Sequence, residues 1–147
     1  MYNKINDLLK DCLLYTISFS VGIFIITYLL DIPTVVSGQK TIINEYYVKN
    51  FVTNIPMDYI FVLLYFLIAY LIIYLLNIEN IYIKTLIVGL TTALLTFGFT
   101  YYFINKPKTN DIYSRWFHSV GYNSITYDTI LITFIYLVYS YLVNKLN

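Results

Sequence analysis

Charged residues are scarce in this sequence. Only 12% of its 147 residues are Asp, Glu, Lys or Arg, whereas 59% are hydrophobic. Soluble globular domains carry about 25% charged residues. The scarcity therefore excludes an ordinary soluble domain and favours a lipid bilayer as the environment. The formal net charge is only +1. Proteins that bind nucleic acid usually carry an excess of basic residues, so nucleic acid is not an expected partner.

Side chains for catalysis and metal binding are equally scarce. Cys12 is the only cysteine and His118 the only histidine. A single cysteine cannot form an intramolecular disulfide, and a metal site needs several Cys, His or carboxylate ligands gathered together. A Ser-His-acid set would need a strained nucleophile turn, and the sequence has none. We therefore expect no catalytic residues, no cofactor and no metal, and we interpret Cys12 as a small apolar residue at the start of a membrane span.

Long hydrophobic runs are the feature that this sequence does have. Four runs lie at residues 12–30, 59–76, 85–104 and 125–143, and each is long enough to cross a hydrocarbon core about 30 Å thick. They predict an all-α integral membrane four-helix bundle that forms a single domain over residues 1–147. An even number of spans places both termini on one side and the two longer loops on the other. The basic residues are divided almost equally between the two sides, so they do not decide the orientation.

The first run has a competing interpretation as a secretory signal peptide. Small residues at 35–38 would form a passable cleavage site after it. However, Asp7 and Asp11 interrupt the positive leader that a signal peptide needs, and the run is longer than a typical signal core. A membrane span is the preferred interpretation.

The two longer loops each contain an amphipathic stretch. In residues 40–52, apolar and tyrosine residues recur at helical spacing against lysines and a glutamate. This pattern predicts a helix in the headgroup plane, with a surface helix packed on its own protein as the alternative. In residues 111–120, Ile112, Trp116 and Val120 share one helical face, which predicts an interfacial helix with its indole at headgroup depth. Gly121, which can take the left-handed conformation, is expected to end it. Together the two helices would form an aromatic collar.

Stripes of small residues run along the first and third spans. In lipid there is little hydrophobic drive between helices, so small faces favour close packing and hydroxyl hydrogen bonds. We expect these stripes to be helix-packing surfaces rather than a solute path. Their members are Ser18, Gly22, Gly89, Ala93, Thr96 and Thr100.

The charged residues near the fourth span are the candidates for a functional site. Asp128 lies one turn inside this span, where the helix start favours a carboxylate and where charged residues are commonly functional. Arg115 is expected to bind lipid phosphate or to pair with Asp128, and His118 to titrate near neutral pH. Asp58 and Glu79 lie at span ends, where we expect water to solvate them.

Two tracts carry a resemblance to a known group of proteins. They are NEYYVKNFVTNIPMDYIFVLLYFLIAY, from Asn44 to Tyr70, and FINKPKTNDIYSRWFHSVGYNSITYDTILI, from Phe103 to Ile132. The chain resembles the small multi-spanning membrane proteins of giant nucleocytoplasmic large DNA viruses. Because such viruses contain an internal lipid membrane, the resemblance implies a virion or virus-factory membrane protein. It implies no catalytic residues.

These observations lead to two main hypotheses. The first is a structural or organising membrane protein whose aromatic collar binds lipid headgroups or a protein layer above the membrane, with capsid or other membrane proteins as partners. The second is a proton or small-ion conducting protein that uses Asp128 and His118, working as a homo-oligomer because four short helices enclose little space. A membrane enzyme with Arg115, His118 and Asp128 in one pocket is the third and least favoured.

Overall fold

The computed structural model describes residues 2–146, with side chains from residue 6 onward. The described residues form seven α-helices, and two of these continue into π-helical segments. The all-α prediction is confirmed. The elements are α1 (Tyr2–Gly22, continuing as a π-helix over Ile23–Leu29), α2 (Ile32–Ser37), α3 (Lys40–Asn44, continuing as a π-helix over Glu45–Lys49), α4 (Phe51–Leu75), α5 (Ile81–Ile104), α6 (Ile112–Val120) and α7 (Asn123–Leu146).

Four helices are long and apolar enough to cross a membrane, as the sequence predicted. They cover Asn6–Leu29, Phe51–Leu75, Ile81–Ile104 and Asn123–Leu146. The second begins eight residues before the predicted run at 59–76. Polar residues before that run hid the start of the helix. Pro56 is the sixth residue of this helix, where it removes one backbone hydrogen bond. The structure thus supports a multi-pass membrane protein.

Helix α7 lies between α1 and α5 and organises the bundle. On one side Ile135 is fully buried against α1, where Gly22 lies so close that an added Cβ would be 2.3 Å from the Ile135 Cγ1 atom. On the other side the Thr100 and Ser124 hydroxyls are 2.9 Å apart. Small residues therefore allow both neighbours to approach α7 closely.

The loop end of the bundle is covered by residues 40–49 and 112–120, which we call the cap. Most of their aromatic side chains face inward, and Tyr46, Tyr47 and Trp116 are 4%, 4% and 6% exposed. For the first loop helix, the alternative interpretation of a helix packed on its own protein is therefore the one that the structure shows. This helix ends at Lys49 rather than at residue 52, because Asn50 is its C-cap and Phe51 already belongs to α4.

Wide turns and a glycine shape the cap. In the π-helical segments, bonds span five residues, as between the Asn50 amide and the Glu45 carbonyl at 3.0 Å. π-Helical turns are often found at functional sites.

Gly121 ends α6 with φ of 59° and ψ of −143°. Its φ is positive as expected, but its ψ lies outside the left-handed helical region, and only glycine adopts this combination readily.

Candidate functional site

A chamber of about 210 Å³ lies beneath the cap, between α4, α5, α6, α7 and the π-helical segment after α3. Nine of its fourteen lining residues are aromatic. Two of the others are acids, Asp58 from the second span and Asp128 from the fourth. None of the described residues that line the chamber is Lys, Arg or His. Two carboxyl groups therefore share an aromatic space without a basic partner.

Asp128 is held by the third span. Its Oδ2 atom accepts a hydrogen bond of 2.9 Å from the Thr96 hydroxyl, and Thr96 is fully buried. The predicted stripe residue and the predicted acid therefore belong to one site. The hypothesis that Arg115 pairs with Asp128 is wrong, because the arginine forms its ion pair with Glu45.

Asp58 is the site residue that the sequence interpretation missed. Its Oδ1 atom accepts a hydrogen bond of 2.7 Å from the Tyr46 hydroxyl. Its Oδ2 atom is buried and has no hydrogen-bond partner among the described residues. The expectation that water solvates Asp58 at a span end is therefore wrong. A signal was present, because once α4 begins at Phe51, Asn54, Asp58 and Tyr65 recur on one helical face.

Tyr46 connects the cap to the chamber. Burial, and next the negative charge of Asp58, raise the pKa of Tyr46 above its usual range, so the hydroxyl keeps its proton and remains a donor. The Tyr46 ring packs on Trp116, with ring centroids 4.7 Å apart. Trp116 also meets the Tyr47 ring edge-on at 5.8 Å. The predicted collar is thus an internal aromatic cluster, and its indole faces protein rather than lipid.

A second hydroxyl chain ties the cap to the spans. The Tyr127 hydroxyl on α7 donates to the Tyr47 hydroxyl over 2.7 Å. It also lies 2.8 Å from the Thr27 hydroxyl in the π-helical part of the first span. Tyr127 and Thr27 are almost fully buried. These bonds fix the Tyr47 hydroxyl in one position at the chamber.

Arg115 joins the two halves of the cap. Its Nη1 atom donates to the Glu45 Oε2 atom over 2.9 Å, and its Nη2 atom pairs with Oε1. Its Nε atom donates to the Asn110 carbonyl over 3.1 Å. The side chains of Arg115 and Glu45 are 33% and 25% exposed. A bidentate pair of this kind fixes orientation, so we call it the clamp.

His118 lies outside the chamber lining and has a local role. Its Nδ1 atom is 2.8 Å from the Ser114 carbonyl and its Nε2 atom 3.1 Å from the Lys106 carbonyl. Carbonyl oxygens only accept, so the doubly protonated ring is the form that makes both bonds. At the start of the same helix, hydrogen bonds from the Thr109 hydroxyl and the Ser114 amide hold the pKa of Asp111 below its usual range. Arg115, His118 and Asp128 thus lie in separate environments.

Most of the stripe residues lie at helix contacts. Ser18 is fully buried on α1, and Gly22 follows one turn later against α7. A Cβ on Gly89 would lie 3.4 Å from the Thr133 Oγ1 atom, so α5 and α7 are less tightly apposed there. Ala93 lines a shallow groove beside Gly89 on the outer surface.

The chemistry of the site follows from its two acids. A carboxylate in a low-dielectric aromatic space must be neutralised by a proton or a cation, or else it costs several kcal/mol. The chamber can therefore bind positive charge, and the described residues gather no group of three His, Cys, Asp or Glu that could hold a metal ion. Comparisons with protein-family models, curated proteins and solved structures found no match to this chain.

Proposed function

We propose that this protein moves protons or other small cations in the membrane and that Asp58 and Asp128 bind them. One observation carries the proposal: two acids from different spans line one chamber whose described lining contains no basic residue. The sequence suggested such a role for Asp128 together with His118, and His118 does not line the chamber. Asp58 supplies the second carboxylate.

Electrostatics supports uptake of positive charge at this position. Two carboxylates that share one space of low dielectric constant repel each other, and uptake of a proton or a cation relieves that repulsion. Tyr46 and Thr96 each occupy one oxygen of an acid. The Asp58 Oδ2 atom is left for a proton or a cation.

The chamber forms the cap-side half of the proposed path. Below it the bundle is filled by fully buried side chains such as Ala69 and Ile135. Passage to the other side therefore requires the helices to shift or a second copy to contribute.

Ion flux across reconstituted liposomes tests the proposal. A pH-sensitive dye inside the vesicles should report proton flux above that of empty vesicles. Asp58→Asn and Asp128→Asn should each lower the flux at least tenfold, because each removes a charge that attracts the proton. Glu79→Gln, which changes an exposed acid at the opposite end of the bundle, should leave it unchanged. Flux equal to that of empty vesicles would exclude the proposal for protons, and the same vesicles with K⁺ and Na⁺ gradients extend the test to small cations.

A structural or organising role in an internal viral membrane is the second candidate. The observation in its favour is an exposed apolar surface at the edge of the cap, where Val48, Phe51 and Val52 are 60%, 48% and 82% exposed. These side chains, rather than Trp116, would contact lipids, capsid or another membrane protein. Proteomics of purified particles and of membrane fractions tests this candidate. Absence from both would exclude it.

A further inference from the structure

We infer that the chamber binds a small protonated amine with an apolar body. This inference rests on the proposed function, because it names the class of cation that Asp58 and Asp128 would accept. It starts from the walls, which are mostly aromatic, and from the two acids that interrupt them.

The walls favour an organic cation over a hard metal ion. Ca²⁺ takes six to eight oxygen ligands and Mg²⁺ about six, whereas this chamber offers two carboxyl groups among aromatic faces. Aromatic rings attract cations through the negative faces of their π systems, and aromatic cages are the common means of binding organic ammonium groups. Phe103 and Phe117 stack with centroids 5.0 Å apart and planes inclined by 9°. They offer flat apolar surface for the body of the ligand.

The free polar atoms favour an amine that still carries N–H bonds. The Asp58 Oδ2 atom and the Tyr113 hydroxyl are both buried, and neither makes a hydrogen bond with the described residues. Both belong to residues that line the chamber. An ammonium N–H can donate to either oxygen. A quaternary ammonium cannot, so a primary or secondary amine is the better fit.

Volume and access limit the size and polarity of the ligand. The chamber, at about 210 Å³, is smaller than the roughly 300–1,000 Å³ of drug-sized sites but larger than the roughly 150 Å³ cavity that holds benzene. The part of its lining with the greatest exposure is Phe99, 38% exposed, which meets the Phe61 ring at 6.0 Å. The most exposed part of the lining thus lies between α4 and α5, on the outer surface of two candidate membrane spans. An apolar amine can enter there more easily than a hydrated ion.

Binding of the amine and of a proton should compete. The titratable groups facing the ligand are Asp58, Asp128 and the tyrosines at 46, 47, 65 and 113. The Arg115–Glu45 pair and His118 lie in the cap and not in the lining. When an ammonium replaces the proton that neutralises one acid, that proton leaves to water. Affinity should therefore fall as the pH falls.

Benzylamine is a suitable probe, and benzyl alcohol is its uncharged control of similar shape. Trp116 is the only tryptophan in the chain and lines the chamber, so its fluorescence in detergent or nanodiscs should report binding. We expect benzylamine to saturate the signal and to bind at least tenfold more tightly than benzyl alcohol. Asp58→Asn should lower the affinity for benzylamine about tenfold, and Phe117→Leu should lower it about threefold to tenfold. Glu79→Gln should leave the affinity unchanged. Circular dichroism and gel filtration show whether each variant is folded.

Equal affinity for benzylamine and benzyl alcohol, or unchanged benzylamine affinity in folded Asp58→Asn and Phe117→Leu, would overturn the inference. The flux assay separates this result from failure of the proposed function. Proton flux without amine binding overturns the amine inference alone. Amine binding without flux of protons, K⁺ or Na⁺ overturns the proposed transport and supports a binding protein.

Discussion

Each acid of the chamber is held by one hydroxyl donor from another element. Tyr46 donates to Asp58 over 2.7 Å, and Thr96 donates to Asp128 over 2.9 Å. Because these donors come from outside the helix that carries the acid, each acid also links two elements. Stability and proton binding are therefore coupled at this site.

Removal of the Tyr46 hydroxyl tests that coupling. We expect Tyr46→Phe to lower the free energy of unfolding by about 1–3 kcal/mol, since it leaves a buried carboxyl oxygen without its donor. Tyr113→Phe is the matched control, because it removes a hydroxyl that makes no hydrogen bond with the described residues. Its effect should stay within about 0.5 kcal/mol. Denaturation in detergent, followed by tryptophan fluorescence, measures both. Equal losses would mean that the Tyr46 hydroxyl does not stabilise Asp58.

At the scale of the elements, two kinds of contact hold the helices. The spans approach through small residues, whereas the cap is fixed by the clamp and by tyrosine hydrogen bonds. The first kind depends on side-chain volume and the second on donor and acceptor pairing. Different substitutions therefore probe the bundle and the cap.

Two glycines that follow the same sequence pattern should respond differently to alanine. In Gly22→Ala the new Cβ would lie 2.3 Å from a side-chain carbon of the fully buried Ile135. We expect a loss of about 1–3 kcal/mol from overpacking. In Gly89→Ala the nearest atom is 3.4 Å away, and the better helix propensity of alanine offsets the strain. The change should stay below about 1 kcal/mol. If Gly22→Ala and Gly89→Ala lower the free energy of unfolding in detergent by similar amounts, α1 and α5 approach α7 equally closely.

The clamp should appear as energetic coupling between Arg115 and Glu45. Arg115→Gln and Glu45→Gln should each cost about 0.5–1 kcal/mol, a small value because both side chains are partly exposed. The double variant should lose less free energy of unfolding than the sum of the two single losses, since the second change removes a group that is already unpaired. As the control cycle, Arg115→Gln with Asp128→Asn should be additive within about 0.5 kcal/mol. Coupling in the control cycle instead would restore the original pairing hypothesis.

For the whole molecule, the sequence predicts the architecture well and the site poorly, for physical reasons. Long apolar runs predict the spans because every backbone N–H and C=O group inside a bilayer must be hydrogen-bonded within the protein, and a helix satisfies all of them within one segment. The partners of Arg115 and Asp58 depend on how α3 and α6 pack over the bundle. The spacing of residues along a single helix does not predict that packing. Asp58 was misjudged because the first turns of α4 are polar and resemble a loop. The burial of Trp116 likewise depends on long-range packing with Tyr46 and Tyr47.

The last prediction concerns the membrane topology of the whole chain. Four spans place the turn between α4 and α5 on the membrane side opposite the cap. In a Cys12→Ser background, which removes the only native cysteine, single cysteines at Lys40, Glu79 and Lys108 would all be exposed. A membrane-impermeant maleimide added to sealed vesicles of one orientation should label Lys40→Cys and Lys108→Cys from the same side. Glu79→Cys should react only after the vesicles are opened, or in vesicles of the opposite orientation. Labelling of all three from one side would mean that α4 and α5 do not both cross the bilayer, and the chamber between them would then lose its membrane setting.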